Sequence, residues 1–335
     1  MTQSFSVAVV GATSIVGEAV VGLLEERAFP VGDLYLLGGD EAVGQSLGFG
    51  DRQVRIKPIA DFKFQQADIV FFSGPAQVTK EHWASARTAG CALIDLSAAY
   101  TVQAVPVVLA DYADLPVWHK GSALELAVPS PTGTAIGLVL RSISPVVNAV
   151  SVHVTAMLSA STLGQIGVRE LARQTTELLN ARPLEPKAVD RQLAFNVLGQ
   201  LGMPDANGYT ELEGRLAAEL QCLNGRSPLR VSATCAAVPV FFGDSVSLSI
   251  SADHPLDLAQ INASLAKAPG VDLFEDDYPT AVCDALGQDE VCVGRVRSAL
   301  GDSSQVNLWI ASDNARKGSA LNAVQIAELL IKHYL

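Results

Sequence analysis

The 335-residue sequence has little charge, no basic tract and no long apolar run. Charged residues make up 17% of it, and none of the lysines and arginines cluster, while the formal net charge is -12. Nucleic acids and anionic membranes both require a positive footprint, so neither is an expected partner. No hydrophobic stretch reaches the ~20 residues that span a bilayer. The opening MTQSFSVAVVG runs straight into a strand pattern, without a basic region or a small-residue cleavage site. A cytoplasmic protein is expected. Five cysteines and five histidines are scattered, with no CxxC and no Cys/His ligand spacing, so no structural metal is expected. Cys91, Cys222, Cys235, Cys283 and Cys292 read as reduced thiols in apolar surroundings.

What is abundant is apolar. Hydrophobic residues reach 49%, and the length exceeds one small core, which indicates two domains and a surplus suited to a buried subunit interface. In the first third, short continuous apolar runs at Phe5–Val10, Leu34–Leu37, Asp68–Phe72 and Ala92–Leu96 alternate with helical patterns at Ile15–Arg27 and Val78–Ala89. That order predicts an α/β fold with a parallel, Rossmann-type sheet covered on both faces. From Val150 the texture changes to alternating strands such as VSVHVTAML and DSVSLSISA. Helical patterns at Gly167–Leu179 and Glu211–Leu220 accompany them, as expected of a second α+β domain. In the tail Leu321, Val324, Ala327 and Ile331 share a helical face.

Two turns carry the chemistry. After the first strand comes GATSIVG, Gly11 to Gly17, opening a helix. In a dinucleotide-binding turn such glycines permit the bend, the approach of a pyrophosphate and close helix packing. Gly11 and Gly17 fit that pattern, and Ser14 takes the middle glycine's place, where its Cβ crowds the pyrophosphate but its hydroxyl and amide can donate. The candidate cofactor residues here are Gly11, Thr13, Ser14, Ile15, Val16 and Gly17. Asp40 and Glu41 follow the second strand. They would repel the 2′-phosphate of NADP and suit the ribose diol of NAD. A plain turn and a solvated acidic loop are the alternatives.

The second turn is LAVPSPTGTAIGLVL, Leu126 to Leu140, a strand that turns into a helix. Such turns commonly hold a nucleophile or an anion. Ser130 and Thr132 are the candidate hydroxyl nucleophiles, and neither has a visible histidine partner. Ser130 as N-cap with Pro131 at the first helical position also makes a strong helix start. The alternative thiol, Cys235, has no adjacent basic residue to lower its pKa, and His153 reads as packed in the second-domain sheet.

The motifs VAVVGATSIVG, LLEERAFPVGDLYLL, DIVFFSG, LIDLSAAY, VSATCAAVPVFFGDS, VCVGRVR and DNARKGSALNAVQIAELL occur in order from Val7 to Leu330. Together they resemble the aspartate-semialdehyde dehydrogenase family. The resemblance implies a Rossmann domain of residues 1–129 plus 318–335, to which the C-terminal helix returns, and a dimerisation domain of 130–317. It also implies a homodimer, an NADP or NAD cofactor, and reduction of 4-aspartyl phosphate through a cysteine thioester with histidine as acid and base. Residue by residue, the resemblance places Pro131 at the nucleophilic cysteine, Asp244 at the histidine, Ala237 at the substrate-clamping arginine and Thr101 at the phosphate-binding arginine. Arg215 and Glu219 keep the spacing of the family's substrate helix, Glu41 lies at the cofactor-phosphate position, and Asn322 takes the position facing the nicotinamide. A proline ring cannot attack a carbonyl, and an aspartate, titrating near ~3.9, is an anion beside an anionic substrate. The implied protein keeps the fold, lacks the thioester chemistry and binds a small molecule or a partner.

Overall fold

The computed structural model describes residues 3–113, 115–117, 122–225 and 228–335. The chain divides into two compact units at Ser130/Pro131 and again at Gly318/Ser319, with the C-terminal segment belonging to the first unit.

The first unit contains β1 (Phe5–Val10), α1 (Ile15–Glu26), β2 (Val31–Gly38), β3 (Ser46–Phe49), β4 (Arg52–Pro58), β5 (Ile69–Phe72), α2 (Ala76–Thr88), β6 (Ala92–Asp95) and β7 (Glu125–Ala127). Its sheet has the order β3-β4-β2-β1-β5-β6-β7. All neighbours are parallel except β3 and β4. Strands β5 and β6 are buried at every residue, as strands covered on both faces must be. The antiparallel β3–β4 pair is an addition to the expected strands. Its short, half-exposed sequence carries no continuous apolar run.

The second unit contains α3 (Pro131–Ile143), β8 (Ala149–Leu158), α4 (Gly164–Leu179), α5 (Glu211–Asn224), β9 (Arg230–Ala237), β10 (Asp244–Ala252), α6 (Leu258–Leu265), β11 (Val271–Phe274), β12 (Val291–Ala299) and β13 (Asp302–Ser312). Its mixed sheet runs β11-β12-β13-β10-β8-β9. Along β8 and β10 the buried residues Val152, Val154, Ala156, Val246, Leu248 and Ile250 alternate with outward serine, threonine and histidine. Helix α3 packs against α5 and α6.

Helix α7 (Asn322–His333) closes the chain in the first unit. Leu321, Val324 and Ala327 join the core formed by Val20, Leu24 and Val9, as the periodicity predicts. Ala323, Ile326 and Leu330 widen the buried stripe, and Arg27 and Glu328 form an ion pair at 2.8 Å beside it. Two expectations are corrected. His153 lies on β8, but on its exposed face, because strand alternation turns it away from Val152 and Val154. Cys222 and Cys283 are exposed rather than packed in apolar surroundings; Cys91, Cys235 and Cys292 are buried, and all five are free thiols.

Candidate functional site

The glycine turn is built by close backbone packing. Gly11 has φ +78°, and a Cβ there would come within 2.3 Å of the Gly74 Cα. A Cβ on Gly17 would meet the Gly11 carbonyl oxygen at the same distance. Only glycine allows β1, α1 and the end of β5 to approach this closely. Ser14 is the N-cap of α1. Its hydroxyl accepts from the Gly17 amide at 2.9 Å and donates to the Ser73 carbonyl at 2.8 Å. The Ser14 hydroxyl hydrogen, expected to be available to a pyrophosphate, is therefore committed to the fold. Among the described residues the amides of Ile15 and Val16 have no acceptor, and both residues are half-buried. Two unpaired amides at the N-terminus of a twelve-residue helix form a receptor for a phosphate oxygen, so the turn fits a nucleotide.

Asp40 and Glu41 follow β2 and are exposed, and the Glu41 carboxylate folds back over Gly39. Asn322 is fully buried. Its Oδ1 accepts from the Ala110 amide at 2.8 Å and its Nδ2 donates to the Val108 carbonyl at 2.9 Å. The observed bonds make Asn322 a clamp between the start of α7 and the 108–110 segment.

In the second unit α3 begins at Pro131, and the missing proline amide sits where a helix has no internal acceptor to offer. Gly318 presses on this ring: a Cβ at 318 would lie 2.7 Å from the Pro131 Cβ. The Thr134 hydroxyl donates to the Gly318 carbonyl at 2.9 Å and ties the same segment to α3. Thr132 is buried and Ser130 half-buried.

Asp244, the first residue of β10, is 2% exposed. Its Oδ1 accepts from the Ser159 amide at 2.8 Å and the Ser159 hydroxyl at 3.0 Å, while Oδ2 has no partner among the described residues. Burial pushes its pKa up to about 6. The two Ser159 bonds oppose that shift, and the nearby Asp313 carboxylate adds to it. Beyond Ser159 a polar chain continues through Ser161 to Asn314, whose Oδ1 also accepts from the Gly243 amide. Asp244 forms no hydrogen bond to Thr132 among the described residues, so a Thr132–Asp244 pair of nucleophile and base is not assembled. Cys235 is no substitute: burial pushes its thiol up to about 12, with Glu213 and Asp244 adding to the shift.

Comparison with known proteins decides the family. Residues 6–117 match the semialdehyde dehydrogenase NAD binding domain, and residues 142–317 match the semialdehyde dehydrogenase dimerisation domain. The chain is 47% identical to a USG-1 protein homolog from Pseudomonas aeruginosa, over all of both chains. It is 37% identical to an aspartate-semialdehyde dehydrogenase from a Shewanella species, again over all of both. The crystal structure of aspartate semialdehyde dehydrogenase II complexed with ASA from Vibrio cholerae superimposes with a TM-score of 0.94, at 34% identity over all of both chains.

The chain belongs to the aspartate-semialdehyde dehydrogenase family.

Within this semialdehyde dehydrogenase fold, the remaining expected site residues form local pairs. Arg215 and Glu219 on α5 join at 2.6 Å, and Glu219 is almost fully buried. One turn earlier, Glu213 and Thr210 make a capping box, and the second Glu213 oxygen accepts from the Cys235 amide, linking α5 to β9. Ala237 is buried, with its backbone paired to Leu198, and Thr101 is exposed. The DNARKG segment is folded around Asp313, which accepts from the amides of Gly287, Ala315 and Arg316. Ser73, Ser159 and Asn314 were not singled out by sequence. Ser73 stands in the DIVFFSG motif next to the strand end, but nothing local signals that its carbonyl and hydroxyl hold the glycine turn. No group of side chains suited to a metal occurs among the described residues, and no described helix is long and apolar enough to cross a membrane.

Proposed function

We propose that this chain is a cytoplasmic, homodimeric paralogue within the aspartate-semialdehyde dehydrogenase family that has left the thioester reaction and binds a small molecule or a partner chain. The observation that carries this reading is Pro131. The resemblance puts it at the family's nucleophile position, and it is the first residue of α3, with Gly318 packed against its ring. A lost nucleophile is compounded by Asp244, which the resemblance puts at the base position and whose Oδ1 is taken up by the Ser159 amide and hydroxyl. Acid, base and nucleophile act as a unit, so their joint replacement removes the reaction rather than slowing it. The test is phosphate-dependent oxidation of aspartate semialdehyde by the purified protein with NADP or NAD. No turnover above the enzyme-free rate is expected. Turnover that is abolished by substituting Ser130, Thr132 or Asp244 overturns the reading.

A second reading, an active NAD(P)-dependent oxidoreductase, is favoured by one observation: the unpaired Ile15 and Val16 amides keep a phosphate receptor in the NAD binding domain. On that reading the same assay shows cofactor turnover, which Gly11→Val eliminates because a side chain there collides with Gly74.

A further inference from the structure

A cleft of about 620 Å³ opens on the first unit, lined by Trp83, Arg87, Tyr100, Ala104, Val105 and Glu125. It shares no residue with the glycine turn, with Asn322 or with the Pro131 turn. Helix α2 supplies Trp83 and Arg87, and the edge strand β7 supplies Glu125. The floor is aromatic and fixed. The Trp83 and Tyr100 rings lie 4.9 Å apart, Trp83 also packs on Phe72 at 5.3 Å, and the Trp83 indole nitrogen donates to Glu125 Oε1 at 2.7 Å.

The polar groups above this floor are incompletely used. Glu125 Oε2 stands 3.5 Å from Arg87 Nε, an ionic contact too long for a good hydrogen bond. Among the described residues no other acceptor reaches the Arg87 guanidinium, and none reaches the Tyr100 hydroxyl. That hydroxyl, a donor at neutral pH in any case, has its pKa raised further by burial and by the Asp95 and Glu125 charges, which outweigh Arg87. One face of the cleft thus offers a carboxylate oxygen, and beside it stand a guanidinium and a phenol hydroxyl. The apolar face consists of two aromatic rings with Ala104 and Val105. A simple anion would meet Glu125, and a simple cation would meet Arg87, each at a cost. A ligand that carries both charges on groups bonded to one carbon satisfies the pair, because its two charges complement those of Glu125 and Arg87.

We propose that this cleft is a binding site for a free α-amino acid with an apolar or aromatic side chain. The ammonium sits on Glu125 Oε2, the carboxylate on the outer nitrogens of Arg87 and the Tyr100 hydroxyl, and the side chain lies over the Trp83–Tyr100 floor. Arg87 is 59% exposed, so its removal leaves the unit folded. Isothermal titration of the full chain with L-phenylalanine and L-leucine tests the site. Saturable binding at millimolar concentration is expected. It should weaken about tenfold or more in Arg87→Ala, where a charge-assisted contact is lost. Tyr100→Phe, which keeps the ring, should weaken it less. Phenethylamine and 3-phenylpropionate, each lacking one charge, should also bind about tenfold or more weakly than phenylalanine. The proposal is overturned if neither amino acid gives saturable heat, if Arg87→Ala binds like the unmodified protein, or if either analogue binds as well as phenylalanine.

Discussion

Asp244 shows how one buried carboxylate sets the physics of its surroundings. A buried aspartate whose folded pKa rises from 3.8 to about 6 holds its proton more tightly folded than unfolded. The folded state is therefore favoured at low pH, and this advantage is lost as pH rises from about 4 through about 6, by about 3 kcal/mol at full ionisation. Glu170 behaves oppositely. The Arg173 guanidinium bonded to it, with help from the Lys187 amide and Gln174, draws it down to about 2, so its contribution is present above the ordinary carboxylate range and lost in acid. Asp244→Asn keeps the acceptor for Ser159 and removes the buried charge. In urea unfolding it should match the unmodified protein near pH 4 and exceed it by about 1–3 kcal/mol near pH 8. A variant less stable near pH 8 would show that the Asp244 charge is compensated by a contact other than Ser159.

At the scale of elements, the N-terminus of α1 and the end of β2 make opposite statements about a nucleotide. The Ile15 and Val16 amides are free to receive a phosphate oxygen, while Asp40 and Glu41 would confront a ribose at the end of β2 with negative charge. A 2′-phosphate adds roughly two negative charges at that edge. NADH should therefore bind about tenfold or more tightly than NADPH in a fluorescence titration, with Glu41→Arg narrowing the gap. Equal affinities, or a preference for NADPH, would remove Asp40 and Glu41 from cofactor recognition. These elements were legible in the sequence because β1, β5 and β6 are continuous apolar runs and α1 and α7 carry a 3.6-residue stripe. Other features lack such a local signal. The β3–β4 pair is short and half-exposed, and α7 starts at Asn322 because the six residues Arg316–Leu321 form a wider π turn first. The glycine turn was readable as a motif. Its supports at Ser73 and Gly74, like the Ser159 and Asn314 partners around Gly243 and Asp244, come from segments 59 to 85 residues distant and are set by tertiary approach alone.

At the scale of the molecule, the second unit's sheet accounts for the apolar surplus only in part. One face of β8, β10 and β13 is buried, but His153, Thr155 and Ser247 stand exposed in the middle of the six-stranded sheet, as does Thr234 on its edge strand β9. Ser247 lies opposite Thr155 on one side and Trp309 on the other, so small hydroxyls and an aromatic residue share a surface with little charge at its centre. Such a surface suits self-association in the domain whose family match is a dimerisation domain. A two-fold interface presents the same patch from both copies, so one added charge near the axis faces its own image. Thr155→Arg should then convert a dimer in sedimentation equilibrium to a monomer. Its circular dichroism should be unchanged, since residue 155 is exposed in the single chain. If the variant remains dimeric, the contact lies elsewhere on the second unit, where Phe195, Val197 and Met203 are among the exposed apolar residues and are the ones to substitute next. An unmodified protein that sediments as a monomer would sink the homodimer altogether.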